Sequence, residues 1–114
     1  SQYGEINTWN VSAITDMSEL FRNKESFNEP ISNWDTSSVT SFFAMFMDAS
    51  SFNGDISNWD TSNVINMREL FRGSTSFNQD LSNWNTSNVR DMYQMFSSSS
   101  LFSSDVEPTI DMRM

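Results

Sequence analysis

The chain has 114 residues, a net charge of −9, no Cys and no His. That length suits one domain, and the acidity argues against nucleic acid and anionic membranes, since both need a basic footprint. Without Cys there are no disulfides or thiolate metal sites, and without His the commonest general base and metal ligand is missing. No apolar run of about 18 residues marks a membrane span, and the start is not signal-like. The hydrophobic fraction of 37 % is low for a globular protein. Order has to come from placement, because the apolar residues are mostly large aromatics and Met that recur in register.

Residues 1–8 read as the tail of a repeat, with Ile6 in the column of Ile31, Ile56, Leu81 and Val106. Four units of 25 residues follow, at about 9–33, 34–58, 59–83 and 84–108, and 109–114 is an off-pattern tail. The columns Trp9/Trp34/Trp59/Trp84, Phe21/Phe46/Phe71/Phe96, Phe27/Phe52/Phe77/Phe102 and Ser12/Ser37/Ser62/Ser87 hold one residue type in every copy. A fixed period in this range marks stacked units, each burying its apolar face only on its neighbours. The three aromatic columns are therefore the expected core. Because the chain starts and stops inside a repeat, it reads as a piece of a longer protein.

Within the third unit, Val64, Met67, Leu70 and Phe71 are spaced i, i+3, i+6, i+7, which predicts one face of a short helix. The other copies match, with Ile14/Met17/Leu20/Phe21, Val39/Phe42/Met45/Phe46 and Val89/Met92/Met95/Phe96. The Ser column lies two residues earlier, at an N-cap position, and Gly73 suits a helix end. The stretch 55–60 reads as a short strand or extended corner, with Ile56 and Trp59 turned inward. The expected fold class is an α/β repeat: a right-handed, leucine-rich-repeat-like solenoid with one short strand and one short helix per turn. Like columns then meet at about 4.8 Å, the strand spacing.

The run F-N-x-D-I-S-x-W-[DN]-T-S-N-V-x-x-M-x-x-[LM]-F-x-x-[AS] resembles the bacterial surface-protein repeat of about 25 residues found in mycoplasma lipoproteins. It also resembles the BspA-like leucine-rich repeats, whose pattern parallels Val64, Met67, Leu70, Phe71, Ser74 and Phe77. The resemblance covers roughly residues 6–106. It departs at Pro30, at Phe42 and after Val106. It implies a cell-surface or secreted location and a role in adhesion or host contact. It offers no catalytic residues to carry over.

The Trp and Met columns favour core over a sugar platform or a metal groove. Asp55, Asp80 and Asp105 share an acidic column that offers oxygen ligands for Ca²⁺. Without a D-x-D-x-D-G loop, solubilising charge and turn caps are the stronger reading, with no cofactor. The Asn columns favour bonds to turn backbone, or ladders. Phe43 and Met47 stand in columns that hold polar residues elsewhere, and Tyr93 shares the Phe43 column. On a helix, Phe43 and Met47 would lie together and face solvent. These three are the candidate binding residues for a protein or host-surface ligand. The expected function is a non-enzymatic, surface-displayed module for adhesion or protein interaction. The alternative is a structural spacer or self-associating array segment, since uncapped ends expose core.

Overall fold

The structure is a computed structural model that describes residues 4–99. Successive units lie against one another in register. Parallel bridges join Asp16 to Ser41, Ser41 to Asn66 and Asn66 to Asp91. The radius of gyration is 13.1 Å, close to the value of about 13 Å for a compact domain of this size.

The expected strand-and-helix unit is not what the chain forms. Among the described residues there is no α-helix and no strand, only those isolated bridges and one 3-10 turn at Ile6–Thr8. The leucine-rich-repeat-like α/β solenoid is therefore overturned in both of its elements. The apolar spacing that predicted a helix comes from overlapping four-residue turns. In the third unit the N–H of Leu70 donates to the carbonyl of Met67, Arg72 to Glu69, and Ser74 to Phe71. Every such turn closes i to i+3, so a run of them repeats an apolar face at that interval without helical backbone.

The third residue of alternate turns has positive φ. Glu19, Ala44, Glu69 and Gln94 form one such column, at 50–61°. Asn23, Asp48, Gly73 and Ser98 form another. Positive φ at this position is the mark of type II turns, whose central peptide stands across the plane of the turn. That peptide then points its carbonyl at one neighbouring unit and its N–H at the other. The Glu19 N–H donates to the Phe43 carbonyl, the Ala44 N–H to the Arg68 carbonyl and the Glu69 N–H to the Tyr93 carbonyl, at 2.8–2.9 Å. Parallel columns start from the N–H groups of Met17, Phe21 and Asn23. One further column, through Thr15, Thr40, Ile65 and Arg90, runs in the opposite sense.

The core sits between these backbone columns. Ring centroids of Phe21, Phe46, Phe71 and Phe96 follow one another at 5.5, 5.7 and 5.5 Å, nearly parallel. Phe27, Phe52 and Phe77 stack at 5.7 and 5.9 Å, and Trp34 on Trp59 at 6.3 Å. Burying each such side chain is worth roughly 1.5–3 kcal/mol, and aromatic pairing adds about 0.5–1.5. Each indole N–H is also fixed, donating from Trp34, Trp59 and Trp84 to the carbonyls of Ile6, Ile31 and Ile56. Two expected core positions differ. Trp9 is exposed and Phe27 half-buried, because no earlier unit among the described residues lies over them. Phe102 lies outside the described residues.

Position along the stack therefore sets the cost of truncation. Phe52→Ala is expected to cost about 3–5 kcal/mol, as for a fully buried ring, and Phe27→Ala less than half of that, by urea denaturation. Gly73 has φ of 72°, and a Cβ there would run into the Asp48 side chain. Gly73→Ala is expected to cost about 1–2 kcal/mol, the penalty for an L-residue with left-handed backbone, in the same assay.

Candidate functional site

Some outward-facing columns change from unit to unit, whereas others, such as Asn28, Asn53 and Asn78, do not. In the column Ser18, Phe43, Arg68, Tyr93, the Arg68 guanidinium lies over the Tyr93 ring at 4.5 Å from its centroid. It also pairs with Glu69 at 3.5 Å and Asp91 at 3.6 Å, while Arg72 pairs with Glu69 at 2.6 Å. Tyr93 is 47 % exposed, and Phe43 and Met47 are half-buried. With no helix present, the i, i+4 adjacency expected for Phe43 and Met47 has no helical basis. What places them is the turn backbone, since their carbonyls accept from the N–H groups of Glu19 and Asn23. A shallow depression of about 450 Å³ lies between Ser38, Asn63, Asn88 and Thr40, Ile65, Arg90, with Ile65 exposed.

The acidic residues serve their own turns. The Asp55 carboxylate accepts from the backbone N–H and hydroxyl of Ser57, and Asp80 from the backbone N–H of Ser82. Asp35 with Ser37 and Asp60 with Ser62 repeat the arrangement. In the flanking units the acceptors are Asn10 and Asn85. The Ser column expected to cap helices is thus the donor half of an Asx turn. These bonds hold the carboxyls of Asp16, Asp35, Asp55, Asp60 and Asp80 below the ordinary carboxylate range, with Asp35 pushing weakly the other way on Asp60. Among the described residues no three acidic side chains converge as a metal site would require. Asp55 and Asp80 fit turn capping rather than a Ca²⁺ cage; Asp105 lies outside the described residues.

The buried polar side chains are equally committed. Thr36 and Thr61 donate to the carbonyls of Asp60 and Asn85, and Ser74 and Ser99 to those of Phe46 and Phe71. The Asn28 and Asn53 amide oxygens accept from the N–H groups of Asn53 and Asn78. Among the described residues no buried side-chain nitrogen or oxygen lacks a partner.

The family model described as "Mycoplasma protein of unknown function, DUF285" matches residues 1–109. The chain belongs to this family. The expected kinship with the mycoplasma repeat proteins is thereby shown, and the DUF285 chain is a repeat protein of a bacterial family. No curated protein and no solved structure matches it. One feature of this DUF285 member went unread in its sequence, and another was read in part. The Arg68–Tyr93 pair was hidden because the two residues are 25 apart, although they share a column. The Asx turns lie in the recurring D-T-S, D-I-S and N-V-S triplets; turn caps are the expected role of the acidic columns, whereas helix capping is the expected role of the Ser column.

The depressed carboxyls give a pH test. A group whose folded pKa lies below its unfolded value of about 3.9 contributes stability that is complete above that value. That contribution disappears as pH falls through the folded pKa. Asn keeps the acceptor oxygen and removes the charge, as at Asn10 and Asn85. The Asp35→Asn/Asp60→Asn variant is therefore expected to fold at neutral pH and to show a flatter stability curve below about pH 4. Urea midpoints measured from pH 5 to pH 2 check this, and parallel curves for variant and parent would contradict it.

Proposed function

We propose that this chain is a non-enzymatic binding module, displayed at the cell surface or secreted, that contacts a protein or host-surface ligand. The observation that carries the reading is the outward column of Phe43, Arg68 and Tyr93, with Met47 beside it in sequence. The column holds Ser18 in the first unit and large side chains in the next three, and Met47 stands where other units hold Arg22, Arg72 and Ser97. Tyr and Arg, rigid or planar and able to combine apolar contact with hydrogen bonds, are enriched among residues that dominate interface energies. Arg68 is already oriented over Tyr93, so less freedom is lost when a partner covers both. The reading as a non-enzyme rests on the commitment of the polar groups: the repeated acids cap turns and the buried hydroxyls hold neighbouring units. The surface and adhesion reading draws on the resemblance of the repeat to mycoplasma surface proteins.

The test is saturable binding of the labelled chain to intact host cells and to immobilised host-surface proteins. Tyr93→Ser/Met47→Ser is expected to weaken binding about thirty-fold, the loss of a hot spot worth about 2 kcal/mol. Its thermal midpoint stays near that of the parent because Tyr93 is exposed and Met47 only half-buried. Asp80→Asn, on the turn-capping column, leaves binding unchanged. No saturable binding by the parent, or equal binding by the double variant, defeats the proposal.

A further inference from the structure

The column Asn28, Asn53, Asn78 runs along the outside of the stack, and the residues that follow its members are Glu29, Gly54 and Gln79. Its rungs share one hydrogen bond. The Asn28 amide oxygen accepts from the Asn53 N–H at 2.9 Å, and the Asn53 amide oxygen from the Asn78 N–H at 2.8 Å. Asn53 differs from Asn28 in two ways. The Gln79 side-chain amide also donates to it, to both its main-chain and its side-chain carbonyl oxygen, at 3.0 Å. The residue after it is Gly, which has no Cβ to crowd its own nitrogen. A Cβ there would run into the Phe52 ring.

These groups are the parts of an intramolecular reaction. Asn53 is exposed and Gly54 half-buried, so water reaches the side-chain amide. Among the described residues the Gly54 N–H has no hydrogen-bond partner, and the Asn53 amide nitrogen donates to none. The nucleophile and the leaving group are therefore unencumbered, while the carbonyl oxygen between them is held by two donors. Donors fixed at a carbonyl oxygen stabilise the negative charge that develops there when its carbon is attacked.

We propose that Asn53-Gly54 is a site of intramolecular deamidation in the middle of the stack. Hydroxide removes the Gly54 amide proton, and the nitrogen attacks Cγ of Asn53. The bond from Cγ to the side-chain nitrogen breaks, and that nitrogen takes a proton from water and leaves as ammonia. A five-membered succinimide remains. Water opens it at one carbonyl to give aspartate, or at the other to give isoaspartate, whose main chain runs through the former side chain. Either product adds one negative charge to the net −9. Aspartate keeps an acceptor for the Asn78 N–H. Isoaspartate inserts a carbon into the main chain between Phe52 and Ile56, both fully buried, and takes the ladder out of register.

Peptide mass spectrometry on the full chain, aged while folded at mildly acidic and mildly basic pH, tests this. Asn53 is expected to convert faster than Asn28 and Asn78, faster still at basic pH, and to yield isoaspartate as well as aspartate. Gln79→Ala is expected to slow the conversion about five-fold, the factor that one neutral hydrogen bond is worth. Gly54→Ala is expected to bring position 53 down to the rate of Asn28. Gln79→Ala carries the test if the contact with the Phe52 ring keeps Gly54→Ala from folding. Conversion at Asn53 no faster than at Asn28 overturns the proposal. So does aspartate as the sole product, which marks direct hydrolysis, or an unchanged rate in Gln79→Ala.

Discussion

The stack depends on peptide groups turned out of the plane of their own unit. Within 17–24 and its counterparts 42–49 and 67–74, alternate N–H groups close local turns and the others cross to the next unit at 2.8–3.0 Å. Folding thereby satisfies backbone that would otherwise be buried without partners, a requirement as strong here as in helices and sheets. It does so with neither. The bridges recorded at Asp16, Ser41, Asn66 and Asp91 are one visible point of a lattice that extends through several columns.

Orienting those peptides requires left-handed backbone, which disfavours every residue except Gly, with Asn and Asp less affected. Ala44, Glu19, Glu69 and Gln94 nevertheless adopt it. Each strained residue donates or flanks an inter-unit bond. Ala44 is fully buried between Phe42 and Phe46, whose rings are also fully buried. At Ala44 the strain is thus held within the core. Side chains do the remaining turn work: Asx turns fix the corners, and Thr and Ser hydroxyls fasten one unit to the next.

The period, the unit boundaries and the inward columns were legible in the sequence because each depends on side-chain type at fixed spacing. Trp34, Trp59, Phe46, Phe52, Phe71 and Phe77 are buried where the columns put them. Secondary structure was not legible, for a physical reason. Val64, Met67 and Leu70 fall at i, i+3 and i+6 in a helix and also in successive turns closed i to i+3, so periodicity alone does not separate the two. The residues that separate them are short and polar. Asp60-Thr61-Ser62 and Gly73 favour turns, yet each is also a helix-end residue. Exposure of Trp9 had a different cause, since column identity says what a side chain packs against, not whether a neighbour is there.

Function follows the division of labour between columns. Inward positions are tied to the same position one unit away, since a change at Phe46 meets Phe21 on one side and Phe71 on the other. Some outward positions are also tied from unit to unit, as Asn28, Asn53 and Asn78 are, but others tolerate change. The column that holds Ser18 in one unit holds Phe43, Arg68 and Tyr93 in the others while the backbone bonds through it stay the same length. Those bonds use carbonyl and N–H groups, which every residue but Pro supplies, so they do not depend on side-chain identity there. A surface built on such columns can vary for recognition without loosening the stack. The open first-unit face is of the opposite kind, built from residues that the core requires. Its apolarity therefore follows from the repeat, while the content of the outward columns is free to follow a partner.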